Sequence, residues 1–252
     1  FLISTNNQSI ISGTFQIEDW NSSDNWNIQL NADTVNLSSK EWKWLDPIIE
    51  DGNKWREFGS IESNLYLKGS LKDMELRINM KSDQGRIQSD INIEGFNSLK
   101  APVYNGSISF SKFNLGSFLP YQLGKMDASI YVSGKGLDLQ NFDTDLKGNI
   151  NSIEFLDYNY QNLTLDGRLQ YDYFKGQAII DDKNIEVDFS GEIDFSSEKP
   201  AMDFVADVVN ADLVKLNLFN KEPVAKFSSL FEMNIIGDKW SNIVGNFRAN
   251  HI

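Results

Sequence analysis

The chain has 252 residues, of which 40% are hydrophobic and 23% charged, a composition that folds rather than staying disordered. With 36 acidic against 23 basic side chains the formal charge is -13, and no Lys/Arg cluster interrupts that balance, which excludes a nucleic-acid binder. There is no cysteine, and the one histidine, His251, is the second-last residue, so thiol nucleophiles, Cys/His zinc sites and a histidine-based triad in the body of the chain are excluded as well.

No run approaches the roughly 20 consecutive apolar residues of a membrane-spanning helix. The opening FLISTNNQSI lacks the basic segment and long apolar run of a signal peptide. Phe1 enters as if in mid-strand and no initiator Met precedes it, so the chain reads as a segment of a longer protein, with any anchor or export signal outside it. Absent cysteine suits either a reducing compartment or an exported protein that does without disulfides.

Taken in chain order, period-two alternation predicts strands over Ile11 to Ile17, Ile28 to Val35, Ile61 to Leu71, Met74 to Met80, Ile87 to Ile93, Val103 to Phe110 and Met126 to Val132. Next, Phe142, Thr144, Leu146, Gly148 and Ile150 oppose Asp143, Asp145, Lys147 and Asn149. Leu163, Leu165, Gly167, Leu169 and Tyr171 oppose Thr164, Asp166, Arg168 and Gln170, and Phe174 to Ile180 follows. The clearest case is NIEVDFSGEIDF, which puts Ile185, Val187, Phe189, Gly191, Ile193 and Phe195 on one face and Asn184, Glu186, Asp188, Ser190, Glu192 and Asp194 on the other. Met202 to Val208, with Phe204 on the apolar face, Phe227 to Ile235 and Ile243 to Ala249 complete the series.

Gly13, Gly69, Gly106, Gly148, Gly167, Gly176, Gly191 and Gly245 fall in step with the apolar residues of their strands. Such glycines either allow a sharp bend or close approach that curls the sheet toward its apolar side, or mark strand ends and bulges. Three strands run into segments with helical spacing, at 31–45, 109–119 and 204–219. In the first, Ser38 and Glu41 have capping-box spacing, Trp42 and Leu45 share a face and Asp46-Pro47 suits a second turn; in the third, Asp212 is the expected cap, with Leu213 and Leu216 on one side.

A one-sided sheet must cover its apolar face, as a sandwich or closed barrel, as a membrane barrel, or as a bent open sheet that leaves a trough for an apolar ligand. The inner residues Phe, Ile, Leu and Val recur without buried charge, which favours the trough. An enzyme would have to work with carboxylates alone: Asp181-Asp182, expected between strands, and the row Glu186, Asp188, Glu192 and Asp194, which is more simply a solvated face. Calcium binding finds no EF-hand or glycine-aspartate repeat. Trp20, Trp26, Trp42, Trp44, Trp55 and Trp240 fit a core edge better than a carbohydrate platform.

The runs YNYQNLTLDGRLQYDYFKGQAIIDDKNIEVDFSGEIDF (158–195) and MDFVADVVNADLVKLNL (202–218) resemble the TamB-like proteins of the AsmA-like superfamily, in the form found in Bacteroidota. The resemblance implies a long, strongly curved antiparallel sheet, all-β with a few short helices, forming an elongated groove or β-taco, continuous over 1–252 in approximate units of 1–57, 58–125 and 126–252. It also implies a periplasmic protein anchored in the inner membrane, with an Omp85-family barrel of the outer membrane as partner, and a role in phospholipid movement and outer-membrane assembly. Under this reading the chain is not an enzyme and has no cofactor or metal, phospholipid being the transported ligand. The residues expected to line the groove are Leu146, Ile150, Leu163, Leu165, Leu169, Ile185, Val187, Phe189, Ile193, Phe195, Phe204 and Val208. The alternatives are a docking scaffold whose apolar face is filled by its own side chains, and part of an outer-membrane β-barrel.

Overall fold

The computed structural model describes residues 1–5, 9–19, 26–41, 56–95, 101–119, 122–136, 141–219, 224–237 and 242–250. They form β1 (Leu2–Ser4), β2 (Ile10–Glu18), β3 (Asn27–Leu37), β4 (Ile61–Gly69), β5 (Asp73–Ser82), β6 (Gly85–Glu94), β7 (Val103–Asn114) and β8 (Leu123–Lys135). There follow β9 (Asp143–Phe155), β10 (Tyr158–Gln170), β11 (Tyr173–Asp182), β12 (Ile185–Asp194), β13 (Ala201–Asp212), β14 (Lys226–Ile236) and β15 (Val244–Asn250). Each strand lies beside its neighbours in sequence, so one antiparallel, uncrossed sheet runs from β1 to β15 and stays open at both edges. The all-β class expected from the alternation is the class that forms.

The chain divides into two compact units, Phe1–Ser129 and Ile130–Ile252. In the first, register stacks apolar side chains in rows across β2 to β7: Ile17, Ile28, Gly69, Met74, Ile93 and Tyr104 in one, and Phe15, Leu30, Leu67, Leu76, Ile91 and Gly106 in the next. At one strand end Phe58, Phe113 and Phe118 close together, with ring centroids 4.6 Å apart for Phe58 and Phe118 and 5.4 Å for Phe113 and Phe118. Phe113 is buried there.

In the second unit the in-phase rows are Ile150, Leu163, Ile180, Val187 and Val208; Gly148, Leu165, Ala178, Phe189, Ala206 and Phe231; and Leu146, Gly167, Gly176, Gly191, Phe204 and Met233. The opposite face carries cross-strand ion pairs directly in register: Lys147 with Asp166 at 2.5 Å, Lys175 with Glu192 at 2.9 Å and Arg248 with Glu232 at 3.5 Å. Such exposed pairs are screened by solvent and contribute little. The two faces therefore differ in kind, one apolar and one charged, and alternation alone separates them.

The segments with helical spacing are mostly strand. Residues 31–37, 109–114 and 204–212 continue β3, β7 and β13, and only short turns follow, at Ser39–Glu41, Leu115–Ser117 and 213–217. The β-branched Val205, Val208 and Val209 favour extended backbone, and a lone i, i+3 pair cannot nucleate a helix against a formed ladder. A register shift between Val208 and Ala211 makes the alternation slip, which imitates helical spacing. Asp212 caps its turn as expected: its Oδ1 accepts from the Lys215 N–H at 3.3 Å, and its carbonyl accepts from the Leu216 N–H at 3.0 Å. Residues 42–47, with Trp42, Trp44, Leu45, Asp46 and Pro47, lie outside the described residues, as do Trp20, Trp55 and Trp240.

The in-phase glycines divide between the two expected roles. Gly13 sits at a register shift and Gly69 ends β4. Gly167, Gly176 and Gly191 instead form an unbroken row in the middle of β10, β11 and β12, where the backbones approach too closely for any side chain. A β-carbon on Gly191 would run into the Phe204 backbone, and the residue adopts φ 153°, which L side chains rarely take. Contacts of this kind are what inward bending of a sheet demands of its concave face.

Candidate apolar groove

Eleven of the twelve expected lining residues come together on the apolar face of the second unit, in strands β9, β10, β12 and β13. Phe195 is the exception: it follows the end of β12, its N–H donates to the Asp172 carbonyl at 2.7 Å, and it is 49% exposed. The strand stops one residue earlier than the alternation suggests because the polar SSEK segment turns the chain after Asp194. Its Oδ1 accepts from the Ser196 N–H at 2.8 Å and locks that turn.

Burial decides what this face is. Ile150 and Val208 are 7% exposed, whereas Leu146, Leu163, Leu165, Leu169, Ile185, Val187, Phe189, Ile193 and Phe204 are half-buried. Side chains at the centre of a two-layer core would be closed off from water as completely as Ile150. Here the protein offers a neighbouring strand on each side and nothing described above. Phe174, Phe189 and Phe204 carry an aromatic line across β11 to β13, with centroids 6.1 and 5.2 Å apart. Gly176, Gly191, Ala178 and Ala206 separate these rings in register, so bulk and space alternate along the surface.

One strand-end rim of this unit is closed. The turn at 213–219 leaves β13 and folds back, and the Asn217 Nδ2 donates to the Leu156 carbonyl of the β9–β10 hairpin at 2.9 Å. Leu216 is completely buried beneath it. The base of this strap is pinned by Asp212, 3.4 Å from the Lys215 ammonium and 3.7 Å from that of Lys226. Burial pushes the Asp212 carboxyl up, but the Lys215 N–H and the two ammonium groups outweigh it and hold it below the ordinary value.

Asp182 departs from the expected arrangement. It ends β11 rather than lying between strands, is 7% exposed, and continues the parity of Phe174, Gly176, Ala178 and Ile180. The Tyr158 hydroxyl and the Asn184 N–H, the latter at 2.8 Å, both donate to its Oδ1, and the Asn184 Nδ2 donates to the Tyr158 hydroxyl at 3.0 Å. Burial, reinforced by Asp182, pushes the Tyr158 phenol up to about 12. The signal was present in the sequence: extending the β11 alternation by one step puts a carboxylate on the apolar side.

Asp143 and the acids of β12 stay on the opposite face. Asp143 is gripped by Arg168, whose Nε and Nη2 donate to the two carboxylate oxygens at 2.7 and 2.6 Å, which holds its carboxyl down at about 2. Glu186, Asp188 and Glu192 alternate with the groove residues of β12, Asp188 and Glu192 stand opposite Asp207 and Asp203 of β13, and no group of three or more acids suited to a metal ion occurs among the described residues. Comparisons with protein-family models, curated proteins and solved structures return no match to this chain.

Proposed function

We propose that this chain is a segment of a TamB-like bridge that conducts phospholipid along an apolar groove between the inner and outer membranes. The observation that carries the reading is the contrast in the second unit between rows of half-buried Leu, Ile, Val and Phe and an opposite face that carries cross-strand ion pairs.

Exposing an acyl chain to water costs about 0.8 kcal/mol per methylene, so a chain of about sixteen carbons meets a penalty on the order of 12 kcal/mol. An apolar surface that stays accessible substitutes one hydrocarbon environment for another and nearly cancels that term. The headgroup remains in solvent at the open side. Contact along the rows is alike from strand to strand, which suits passage better than tight capture. Glycine and alanine between the Phe174, Phe189 and Phe204 rings leave width for tails. Under this reading the partners are phospholipid, an inner-membrane anchor elsewhere in the protein and an Omp85-family outer-membrane barrel, and the compartment is the periplasm.

A scaffold reading is favoured by one observation, the complete burial of Leu216 under the strap, because there the protein covers its own apolar face. Purification of the chain from a Gram-negative host, followed by extraction and mass spectrometry, separates the two. Bound phospholipid, reduced in Phe189→Asp and Val187→Asp, supports conduction; a lipid-free chain supports the scaffold. An aspartate at either position would stand unpaired in the path of the tails.

A further inference from the structure

We propose that phospholipid enters the groove of the second unit sideways, at the strand ends that carry the β10–β11 and β12–β13 turns, and lies along the strands with its headgroup at Tyr171, Asp172 and Phe195 and its tail ends toward the strap. The inference rests on the conduction reading above and gives the groove an orientation: one rim is a mouth and the other an end wall.

Strand order makes the two rims distinct. In an uncrossed antiparallel sheet the β9–β10, β11–β12 and β13–β14 connections fall at one set of strand ends, and the β10–β11 and β12–β13 connections fall at the other. The β13–β14 connection is long enough to fold back as the strap, and beside it Val208, Ala211 and Leu216 are buried. The β10–β11 turn is only Tyr171 and Asp172, too short to reach over the face. The longer 195–200 turn closes on itself: Asp194 Oδ1 accepts from the Ser196 hydroxyl at 2.5 Å, and the Ser197 hydroxyl donates to the Lys199 carbonyl at 2.7 Å.

Exposure changes along the strands accordingly. Leu169 and Ile193, in the last paired apolar row before the turns, are half-buried, and Tyr171 and Phe195, two residues further along, are 51% and 49% exposed. The Phe195 N–H bond to the Asp172 carbonyl continues the β11–β12 register one step past Tyr173 and Asp194, so Phe195 keeps the parity of Ile193. On β9 the same row ends in the buried Thr144, which bounds the opening on that side. Large rings half in water, next to the exposed Asp172, mark a boundary between hydrocarbon and solvent, the kind of place where aromatic side chains meet lipid headgroups. An amphiphile laid the other way would press its headgroup toward Val208 and Leu216 and leave its tail in water. Length agrees with the same orientation. The hydrocarbon of one leaflet is about 15 Å deep, and the run from Phe195 to Phe189 spans about 20 Å, so a tail entering at Phe195 ends near the row of Leu165, Ala178, Phe189 and Ala206, short of the strap.

The test is photo-labelling of the full chain with two phosphatidylethanolamines, one carrying a diazirine at the end of a tail and one carrying it on the headgroup nitrogen, with the adducts mapped by digestion and mass spectrometry. No substitution is needed, so the outcome does not depend on a variant folding. The headgroup probe is expected to mark residues 171–173 and 195–199 about tenfold more than the strap at 213–219, since placing a polar headgroup on an apolar surface costs more than the free energy that a factor of ten represents. The tail probe is expected on the apolar face of β10 to β13, around Leu165 and Phe189. Headgroup adducts as frequent on the strap as on the turns, or tail-end adducts concentrated on the turns, overturn the orientation and leave the groove standing. Tail-less phosphoethanolamine with the same diazirine is expected to show no such contrast; if it marks the turns with the same preference, labelling follows exposure alone and the mouth is overturned. Absence of tail adducts from β10 to β13 overturns the groove reading itself.

Discussion

Gly167 lies directly opposite Gly176 in the β10–β11 register, and a β-carbon built on Gly176 would stand 2.5 Å from the Gly167 Cα. The reverse construction puts a β-carbon on Gly167 2.8 Å from the Gly176 Cα. An approach this close leaves no room for a side chain on the glycine, as also at Gly191 opposite Phe204. Gly176→Val therefore forces the backbones apart, and a loss of about 1–3 kcal/mol is expected in urea unfolding. Ser190→Ala, on the exposed face of β12, is the control and stays within about 0.5 kcal/mol of the parent.

Leu216 tests the strap. It is fully buried, whereas Leu218, two residues on, is 46% exposed. Leu216→Ala removes a packed side chain and leaves a cavity, at a cost of about 2–5 kcal/mol, while Leu218→Ala costs about 0.5 kcal/mol or less. Unfolding midpoints of the two variants measured side by side check this. Equal, small losses would mean that the strap does not hold the rim.

The Asp143–Arg168 fork sets a pH dependence. The folded carboxyl lies at about 2, below its ordinary value of 3.8, so the pair stabilises the fold fully above 3.8 and the contribution is lost as pH falls to about 2. Because the Arg168 side chain is 50% exposed, solvent screening keeps the amount small. The stability difference between the parent and Asp143→Asn is expected to be constant near neutrality and to vanish across that acid window.

Tyr158 gives the alkaline counterpart. Its phenol is raised from 10.0 to about 12, so the contribution is complete below 10 and is lost as pH rises through about 12. Spectroscopic titration of tyrosinate should show a late-ionising component, to which Tyr160 and Tyr173 also contribute, that shrinks by one group in Tyr158→Phe. The same variant removes a donor from the buried Asp182 carboxylate and costs about 1–3 kcal/mol at neutral pH.

The strands and their apolar face were legible because alternation is a local property. In β12 each apolar residue is followed by a polar one, and Ile185, Val187, Phe189 and Ile193 land together as read. The end of β13 was not legible, since the slip after Val208 imitates helical spacing and only pairing with β12 and β14 shows it to be a bulge. Leu216 is buried next to Asn217, whose hydrogen bond reaches a residue 61 positions away, and no local pattern carries such a contact. Asp182 lay within reach of the reading, but adjacent acids next to Lys183 and Asn184 suggested a turn, and the neighbouring Tyr158 hydroxyl that makes its burial tolerable is 24 residues away.

Photo-crosslinking tests the central claim most directly. Benzoylphenylalanine is placed at Val187, Phe189 or Phe204 on the apolar face, and at Asp188 or Val205 on the other, and irradiated in cells. Phospholipid adducts at the first three positions and none at the other two are the predicted result; adducts on both faces alike, or none at Phe189, contradict it.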